Sequence, residues 1–310
     1  MSKPLEGRVA IVTGAGRGIG KAIAVQLHAL GASVVVADSG TSIGGDGADP
    51  TVARDLVKSF GGRALAFEES VASPGAAQLL VQRAVKEFGG LDIVVNNAAI
   101  LRDAFIFKLD PGAWDAVIRN NLSAPAYLIG AASAHMREQG KQKRGGDTYS
   151  WGRIVNIVSS AGLYGNFGQA AYASAKAGLV GLTRVAAMDL ARAAITVNAI
   201  APFARTRVTD IIQPANEAQK TYKERALRIA PEHVADLVAA LCLPASGKIT
   251  GQIFGVRGRE VFLFSQARPL ARLVATDGVE ALSARLSGEL GDKFTDLGTD
   301  LEAFNTEPVV

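Results

Sequence analysis

Three side chains that could manage a hydroxyl proton occur close together in the middle of the chain. Tyr172 and Lys176 are four residues apart in AYASAKAGLVGL, and Ser159 comes thirteen residues before the tyrosine. Residues i and i+4 share one face of a helix, so the lysine ammonium can lie beside the phenol. A free tyrosine has a pKa of about 10, and a neighbouring cation lowers that pKa by favouring the phenolate. The pair predicts a general acid/base that works near neutral pH, although a solvated tyrosine beside a lysine would have the same spacing.

A glycine-rich turn near the N-terminus gives this pair a context. The β-branched run RVAIV predicts a buried strand, and KAIAVQLHAL predicts a helix. Between them lies TGAGRGIG, whose glycines follow the spacing G-x-x-x-G-x-G rather than G-x-G-x-x-G. A strand, a glycine loop and a helix place backbone N–H groups and a helix N-terminus against a pyrophosphate. A tight turn with no ligand is the alternative interpretation of the loop taken alone.

The next apolar run ends in a residue that bears on the choice of dinucleotide. ASVVVAD ends at Asp38, eighteen residues after Gly20. A carboxylate at this point can accept hydrogen bonds from the ribose hydroxyls of NAD, and it repels the additional phosphate of NADP. No arginine follows Asp38 directly. The predicted cofactor is therefore NAD, the alternative being an aspartate that only caps a helix or a loop.

Strand and helix patterns alternate without a break in composition to about residue 256. This order predicts a Rossmann-type, doubly wound α/β fold with a parallel sheet of about seven strands and helices on both faces. The predicted strands are near 8–12, 33–37, 63–67, 92–95, 153–158, 195–200 and 252–256. The predicted helices are near 18–30, 51–60, 74–88, 111–138, 170–191 and 231–242. We assign 1–258 to the dinucleotide-binding domain and 259–310 to a C-terminal extension, which is too short to bury a core of its own and is expected to pack on the domain or a partner subunit.

Composition narrows the class of protein. The 310 residues are 48% hydrophobic and 20% charged, which is typical of a globular chain. The single cysteine, Cys242, excludes an internal disulfide and fits a reducing compartment. MSKPLEG lacks the apolar core of a signal peptide, no 18-residue apolar stretch occurs, and the ending EPVV is no peroxisomal address. The expectation is a cytoplasmic protein without a membrane segment.

Charge and histidine placement favour some partners over others. The net charge of +4 is scattered, so no nucleic-acid partner is predicted, and KQKR at 141–144 is interpreted as a solvated loop. His28, His135 and His233 have no partner at metal-ligand spacing, so no metal site is predicted. Residues 203–230 carry six basic and three acidic side chains after a predicted strand. This excess fits a phosphate-bearing substrate such as coenzyme A, or else an amphipathic helix with a solvated charged face.

These motifs, taken jointly and in order, resemble the short-chain dehydrogenase/reductase family over roughly residues 5–256. They are TGAGRGIG, NNAA at 96–99, Asn121 in IRNNLSA, and the set Ser159, Tyr172 and Lys176. Within the family, VVVADSG, NNAAILRD, SSAGLYGNFGQAAY and APEHVADLV are most similar to the 3-hydroxyacyl-CoA dehydrogenase domains of type 2 peroxisomal multifunctional enzymes.

The resemblance implies roles for individual residues. Tyr172 would be the acid/base, Lys176 would lower its pKa and hold the nicotinamide ribose, and Ser159 would donate to the reacting oxygen. Asn121 would anchor a water that links Lys176 to solvent. Ser160 is the alternative to Ser159, which the spacing to the tyrosine favours. The implied cofactor contacts are Gly14, Gly16, Arg17, Gly18, Ile19, Gly20, Asp38, Glu69, Ser70, Val71, Asn97, Ala98, Ala99, Tyr172, Lys176, Pro202 and Thr206.

The chain departs from the family pattern at three points in or next to these positions. Glu68-Glu69-Ser70-Val71 stands where relatives carry an aspartate–valine pair, and Glu69 is the expected substitute for the aspartate. Ala99 and Phe203 each replace a usual glycine.

The expected function is an NAD-dependent oxidoreductase that interconverts a secondary alcohol and a ketone. The first substrate class is 3-hydroxyacyl-CoA esters, and the alternatives are hydroxysteroids or, in the reductive direction, 3-oxoacyl groups on acyl-carrier protein. A non-catalytic dinucleotide-binding protein is a further alternative, but such relatives typically lack the tyrosine or the lysine. The expected partners are a small-molecule alcohol or ketone, an acyl-CoA in the first case, and further copies of the chain in a homodimer or homotetramer.

Overall fold

An eight-stranded sheet forms the centre of the computed structural model, which describes residues 3–144, 152–205, 209, 213–214, 216–275 and 278–310. The strands are β1 (Val9–Thr13), β2 (Ser33–Ala37), β3 (Ala64–Phe67), β4 (Ile93–Asn96), β5 (Arg153–Ile157), β6 (Thr196–Phe203), β7 (Ile253–Arg257) and β8 (Glu260–Phe264). Their order is β3-β2-β1-β4-β5-β6-β7-β8, and β8 alone among them runs antiparallel to its neighbour. The order reverses between β1 and β4, and open α/β sheets bind ligands at such a point.

Helices cover both faces of the sheet. They are α1 (Gly18–Ala29), α2 (Thr51–Phe60), α3 (Pro74–Phe88), α4 (Pro111–Ile118), α5 (Ala124–Lys141), α6 (Ala161–Tyr164), α7 (Ala170–Leu190), α8 (Glu217–Leu227), α9 (Glu232–Cys242), α10 (Val279–Leu290) and α11 (Asp300–Ala303). Side chains of α1 and α9 pack with Val12 and Val34 in one core cluster. Those of α3, α5 and α7 pack with Ile11 and Val35 in another. Because successive strand residues point to opposite faces, strands covered on both sides are apolar throughout, and the predicted Rossmann-type fold is confirmed.

The predicted helix over 111–138 contains a change of winding. A π-helical turn at Arg119–Ser123 separates α4 from α5, and Asn121 is fully buried within it. Single π-helical turns inside longer helices occur often at functional sites. Asn121 uses both groups of its amide on the backbone of Ile100, donating to its carbonyl and accepting from its N–H, each at 2.9 Å. The turn thereby fixes the segment that follows β4.

The far side of the sheet corrects one interpretation of the sequence. KQKR was expected to be solvated, but the Arg144 guanidinium lies 3.0 Å from a carboxylate oxygen of the fully buried Asp92. Arg8 lies 3.5 Å from the other oxygen of Asp92. Arg144, the last residue of KQKR, is therefore half-buried at the N-terminal end of β4. A buried carboxylate such as that of Asp92 requires nearby cations.

The C-terminal extension contributes to the same sheet and core. β8 pairs with β7 from Ile253↔Phe264 to Arg257↔Glu260, which adds one strand to the seven predicted. Phe304, forty residues after the end of β8, is only 8% exposed and belongs to the core cluster of α1 and α9. No helix among the described residues is long and apolar enough to cross a bilayer.

Candidate active site

A cleft opens at the carboxyl ends of β1, β2, β4, β5 and β6. Sixteen of the predicted site residues line it: Gly14, Arg17, Gly18, Ile19, Gly20, Asp38, Glu69, Ser70, Val71, Asn97, Ala98, Ala99, Ser159, Tyr172, Lys176 and Pro202. Gly16 lies behind the glycine loop against Asp38, and Asn121 lies behind Ile100. Thr206 falls outside the described residues, so its contact with a nicotinamide remains a prediction. The fold thus brings predicted site residues that are spread between Gly14 and Pro202 into one cleft.

The glycine loop has the shape of a phosphate cradle. Gly14 and Gly18 have φ angles of +62° and +53°, which favour glycine. A Cβ on Gly20 would lie 2.1 Å from the Gly14 carbonyl oxygen, whereas a Cβ on Gly18 would meet no protein atom within 4 Å. The first turn of α1 has neither a side-chain cap nor an acidic residue. Its N–H groups are therefore available to a pyrophosphate, and the residues present fit a dinucleotide.

Polar groups from β1 and β4 hold the loop in place. The Asn97 side-chain amide donates to the carbonyls of Thr13 and Gly14 at 3.0 and 3.1 Å. The Thr13 hydroxyl accepts from the backbone N–H groups of Asn97 and Ala98 at 3.0 and 3.1 Å. The Asn97 side chain therefore positions the loop, and its contribution to a cofactor site is mainly indirect.

Asp38 fixes the backbone around the end of β2. Its carboxylate accepts from the backbone N–H of Gly16 at 2.8 Å and from that of Gly40 at 2.7 Å. Arg17, the cationic side chain of the glycine loop, lies 3.6 Å from a carboxylate oxygen of Asp49. Two carboxylates therefore lie around the region where the second strand ends, and one of them is paired with the arginine.

The structure also separates the two glutamates after β3. Glu68 accepts two hydrogen bonds from the guanidinium of Arg54, at 2.5 and 2.6 Å, so its carboxylate is directed away from the cleft. Glu69 lines the cleft. This arrangement supports Glu69, rather than Glu68, as the substitute for the aspartate that contacts the adenine in relatives.

The three proton-handling groups meet at the inner end of the cleft. Ser159 is hydrogen-bonded to the Tyr172 hydroxyl, and its own oxygen accepts from the Ala161 N–H at 3.2 Å. Lys176 is 2% exposed and donates to the carbonyl of Ile157 at 2.7 Å. The Lys176 nitrogen lies 5.7 Å from the centre of the Tyr172 ring. The serine thus contacts the phenol directly, while the ammonium lies beside its ring.

Burial shifts the pKa values of Tyr172 and Lys176 more than their spacing in the sequence indicates. The Tyr172 side chain is half-buried overall, but its hydroxyl is enclosed, and burial raises its pKa to about 12. The hydrogen bond from Ser159 opposes this rise, and the negative charge of Asp103 adds to it. Burial lowers the pKa of Lys176 to about 8. Burial therefore opposes the lowered phenol pKa that the lysine alone predicts, because a low-dielectric site disfavours both charged forms.

A buried polar relay beneath the site has only a weak sequence signal. Asn96 donates to the Asn156 side chain at 2.8 Å, and Asn156 donates to the Thr183 hydroxyl at 2.9 Å. Both asparagines stand at equal register on the paired strands β4 and β5. An asparagine within the otherwise apolar run RIVNIV is the only local indication that this position is constrained.

Four further residues of the cleft region carry no local motif. The Gln169 amide donates to Asp103 at 2.8 Å, and Asp103 acts on the charge state of Tyr172. Tyr222 of α8 and Asp300 of α11 both line the cleft and are hydrogen-bonded to each other at 3.1 Å. Asp300 lies 140 positions after Ser160, its other partner, so no spacing rule would have found it.

The basic segment after β6 is largely paired within the chain. Glu307 accepts from Arg225 at 2.7 Å and also pairs with Arg228. Lys220 lies 3.3 Å from Glu217. These cations are therefore not a free patch for phosphates, and the amphipathic helix with a charged face is the better description of α8.

Comparison with known proteins places the chain among enzymes. The model of the short chain dehydrogenase family matches residues 8–220. Hydroxyacyl-CoA dehydrogenase ChsB1 of Mycobacterium tuberculosis is 38% identical over 94% of this chain and 89% of its own length. Mouse peroxisomal multifunctional enzyme type 2 is 37% identical over 78% of this chain, which matches 31% of that longer protein. A 3-oxoacyl-[acyl-carrier-protein] reductase of Synechocystis is 40% identical over 82% of this chain and 97% of its own.

A solved structure agrees with these matches. A short chain dehydrogenase from Mycobacterium avium superposes with a TM-score of 0.78, at 37% identity, over 93% of this chain and 96% of its own. The members of this family use a nicotinamide dinucleotide and act on CH–OH groups, and the resemblance predicted from the motifs is confirmed. The chain belongs to the short-chain dehydrogenase/reductase family of oxidoreductases.

Proposed function

We propose that this protein is an NAD-dependent 3-hydroxyacyl-CoA dehydrogenase whose site residues are those predicted from the sequence. The observation that carries the proposal is the joining of Ser159, Tyr172 and Lys176 at the inner end of a cleft whose outer part fits a dinucleotide. The relatives named for hydroxyacyl-CoA chemistry support the substrate class, and one of them covers nearly the whole chain.

The groups in the cleft suit the removal of a hydroxyl proton. A bound NAD would take the hydride from the carbinol carbon. Tyr172 then receives the proton of the substrate hydroxyl, while the neutral Ser159 hydroxyl stabilises negative charge on the same oxygen. Tyr172 must be deprotonated to do this, and its pKa of about 12 in the protein alone opposes it. Positive charge close to the phenol favours the phenolate, and both the Lys176 ammonium and an oxidised nicotinamide ring carry such charge.

Asn121 contributes to this chemistry indirectly, through the backbone of Ile100. Because both its amide oxygen and its amide nitrogen are hydrogen-bonded to Ile100, we propose that it positions the segment after β4. A water that links Lys176 to solvent would then be held by other groups near the π-helical turn.

The preference for NAD is proposed to depend on two carboxylates. Asp38 excludes a phosphate by its own charge, and Asp49 engages Arg17, the cation placed to bind one. Asp38→Asn keeps an acceptor for the Gly16 N–H and removes the charge. We expect it to lower the NAD-to-NADP ratio of kcat/KM at least about tenfold, since one well-placed charge contributes on the order of 1–2 kcal/mol. The ratio is measured with one saturating alcohol.

The control for Asp38 removes a charge outside the cleft. Asp55 is an exposed aspartate of α2 that pairs with Lys58. Asp55→Asn should leave the cofactor ratio unchanged. An equal ratio in Asp38→Asn and wild type would show that another feature of the site excludes NADP.

A substrate panel tests the proposed function directly. Purified protein with NAD is offered 3-hydroxybutyryl-CoA, a hydroxysteroid and a sugar alcohol, and the reverse reaction is offered 3-oxoacyl groups on CoA and on acyl-carrier protein. Formation or loss of the reduced nicotinamide absorbance gives kcat/KM. We expect the CoA esters to exceed the other classes by at least about tenfold, a ratio that a few pocket contacts can produce. The proposal is wrong if a steroid or acyl-carrier protein exceeds CoA esters by that factor.

We also propose that the chain works as a homodimer or homotetramer. Val185 and Met188 of α7 are 51% and 69% exposed. Apolar side chains of this size on an outer helix are typical of surfaces that meet another subunit.

A further inference from the structure

The last residues of the chain pack beside the cleft and reach it at Asp300. We call residues 299–309 the C-terminal strap. Its anchor is Phe304, whose ring centre lies 4.5 Å from that of Phe203 and 5.1 Å from that of Phe262. Tyr164, at 6.4 Å, completes an edge-on contact. Phe203 itself lines the cleft. The strap is therefore packed into the wall of the candidate site.

Polar contacts fix the outer half of the strap. Glu307 pairs with both arginines of the α8 end, as described above, and Thr306 accepts from the Arg257 guanidinium at 2.9 Å. The carbonyl of Val309 accepts from the N–H of Arg259 at 2.7 Å. These contacts join α8 to the end of β7 and to the turn between β7 and β8. The position of the strap is thus set by the fold.

The inner end of the strap places a carboxylate in the cleft. One oxygen of Asp300 accepts from the Ser160 hydroxyl at 2.5 Å and from the Tyr222 hydroxyl at 3.1 Å. Thr299 caps α11 just before it, with a capping box closed by Glu302. Asp300 follows the cap directly and has little freedom to turn away from the site.

The charge of Asp300 acts on groups around it. Burial, and then the charge of Asp300, raise the pKa of Tyr222 and of Tyr164. Both hydrogen-bond donors to Asp300 are neutral hydroxyls, and Arg257, which also acts on Tyr222, is itself 3.4 Å from Glu260. Hydroxyl donors stabilise a carboxylate without cancelling its charge.

Ser160 links this carboxylate to the reaction centre. It is the residue next to Ser159, and Ser159 is hydrogen-bonded to Tyr172. A 3-hydroxy acid bound with its hydroxyl at Tyr172 has its carboxyl carbon two bonds from the carbinol carbon. A free carboxylate would therefore enter a partly enclosed cleft that already contains a negative charge, whereas an ester or thioester carbonyl brings none.

We propose that Asp300 is a specificity-determining residue that makes the site prefer uncharged esters and thioesters of 3-hydroxy acids over the free acids. The inference rests on the proposed function. It extends that function by stating that the site selects the uncharged carbonyl group of the thioester over a free carboxylate. Asp103, whose charge also raises the pKa of Tyr172, is a second carboxylate near the site. Replacement of Asp300 should therefore weaken the discrimination without removing it.

A matched substrate pair tests this inference. Ethyl 3-hydroxybutyrate and 3-hydroxybutyrate share the reacting carbon and differ by one charge and an ethyl group, and the effect of the ethyl group is common to wild type and variants. The quantity measured is the ratio of kcat/KM for the ester to that for the acid, with NAD at saturation. We expect Asp300→Asn to lower this ratio at least about tenfold by raising kcat/KM for the acid, because one like charge is removed. Asp300→Glu, which restores the charge, should bring the ratio back toward that of wild type.

A control variant separates local from general charge effects. Asp296 is an exposed aspartate of the same extension, and Asp296→Asn should leave the ratio as in wild type. If Asp300→Asn loses its cooperative melting transition, Ser160→Ala serves instead. This variant keeps the Asp300 carboxylate and removes one of its two hydroxyl donors. The negative charge is then less well stabilised by the protein, so the ratio of kcat/KM for the ester to that for the acid should rise.

Failure of the inference can be told apart from failure of the proposed function. An ester-to-acid ratio in Asp300→Asn within about twofold of wild type would overturn the inference, provided that 3-hydroxybutyryl-CoA is still oxidised. A ratio that Ser160→Ala leaves unchanged or narrows would overturn it as well. If wild-type protein oxidises a steroid or sugar alcohol but neither the ester nor 3-hydroxybutyryl-CoA, the proposed function is wrong, and the inference is wrong with it.

Discussion

Replacement of Tyr172 by phenylalanine is expected to lower kcat about a thousandfold or more, with little change in the affinity for NAD. General acid–base groups contribute about 10²–10⁴-fold, and the Lys176 ammonium lies beside the ring of Tyr172. Phenylalanine keeps the packing of the ring and removes only the oxygen that Ser159 contacts. The experiment compares kcat for 3-hydroxybutyryl-CoA with the dissociation constant of NAD from a fluorescence titration.

Tyr127→Phe is the matched control, since it removes the same atom from a tyrosine of α5 that is 37% exposed. This control should turn over at the wild-type rate. If Tyr172→Phe retained more than a few per cent of the wild-type kcat, the proton would have another acceptor, and the assignment of Tyr172 would be withdrawn. A loss of NAD affinity of tenfold or more would indicate that the phenol mainly binds the cofactor.

The elements that carry the dinucleotide cleft were predictable because their signals are local. The segments VAIV (9–12) and VVVA (34–37) are buried on both faces and so are apolar throughout, which makes them recognisable without any tertiary information. The glycines between β1 and α1 are required by backbone angles and close approaches within one turn. A sequence can indicate such features because each depends on residues only a few positions apart.

The electrostatics of the site could not be predicted in the same way. The i, i+4 spacing of Tyr172 and Lys176 gives their proximity but not their burial, which arises from β5, α7 and the segment after β4 together. Burial raises the pKa of the phenol to about 12 and lowers that of the ammonium to about 8, so it exceeds the mutual effect of the pair. Desolvation is a property of the whole fold, and no local pattern encodes it.

The extension shows the same limit at longer range. The helical apolar spacing of VEALSARLSGEL is a local signal for α10. The pairing of β8 with β7, the burial of Phe304 and the contact of Asp300 with Ser160 all depend on partners far away in the chain. Glu307 likewise pairs with Arg225 of α8 and with Arg228 just after it, and no local pattern in the basic segment indicates this neutralisation.

Replacement of Lys176 by methionine is expected to affect activity and stability in opposite directions. We expect kcat/KM to fall about a hundredfold or more, because the variant lacks the cation that favours the Tyr172 phenolate. The free energy of unfolding at pH 7 should rise relative to wild type. A charged ammonium is buried in wild type, and a pKa lowered from 10.5 to about 8 corresponds to a cost of about 3 kcal/mol. The lost bond to the Ile157 carbonyl offsets part of this gain.

The pH dependence of that stability difference identifies its cause. Below pH 8 the lysine is protonated in both the folded and the unfolded chain, so wild type bears the full cost of burial. Between about pH 8 and 10.5 the unfolded chain binds more protons than the folded one, so wild-type stability rises relative to the variant. Urea denaturation of both proteins at pH 7 and 9.5 measures the change, and titrating groups that Lys176 does not affect cancel in the difference. If the difference in free energy of unfolding between the variant and wild type stays constant across this range, Lys176 is not buried as an ammonium. If the difference shrinks with rising pH and the variant has also lost turnover, the fold tolerates an unfavourable charge at the position where the chemistry needs it.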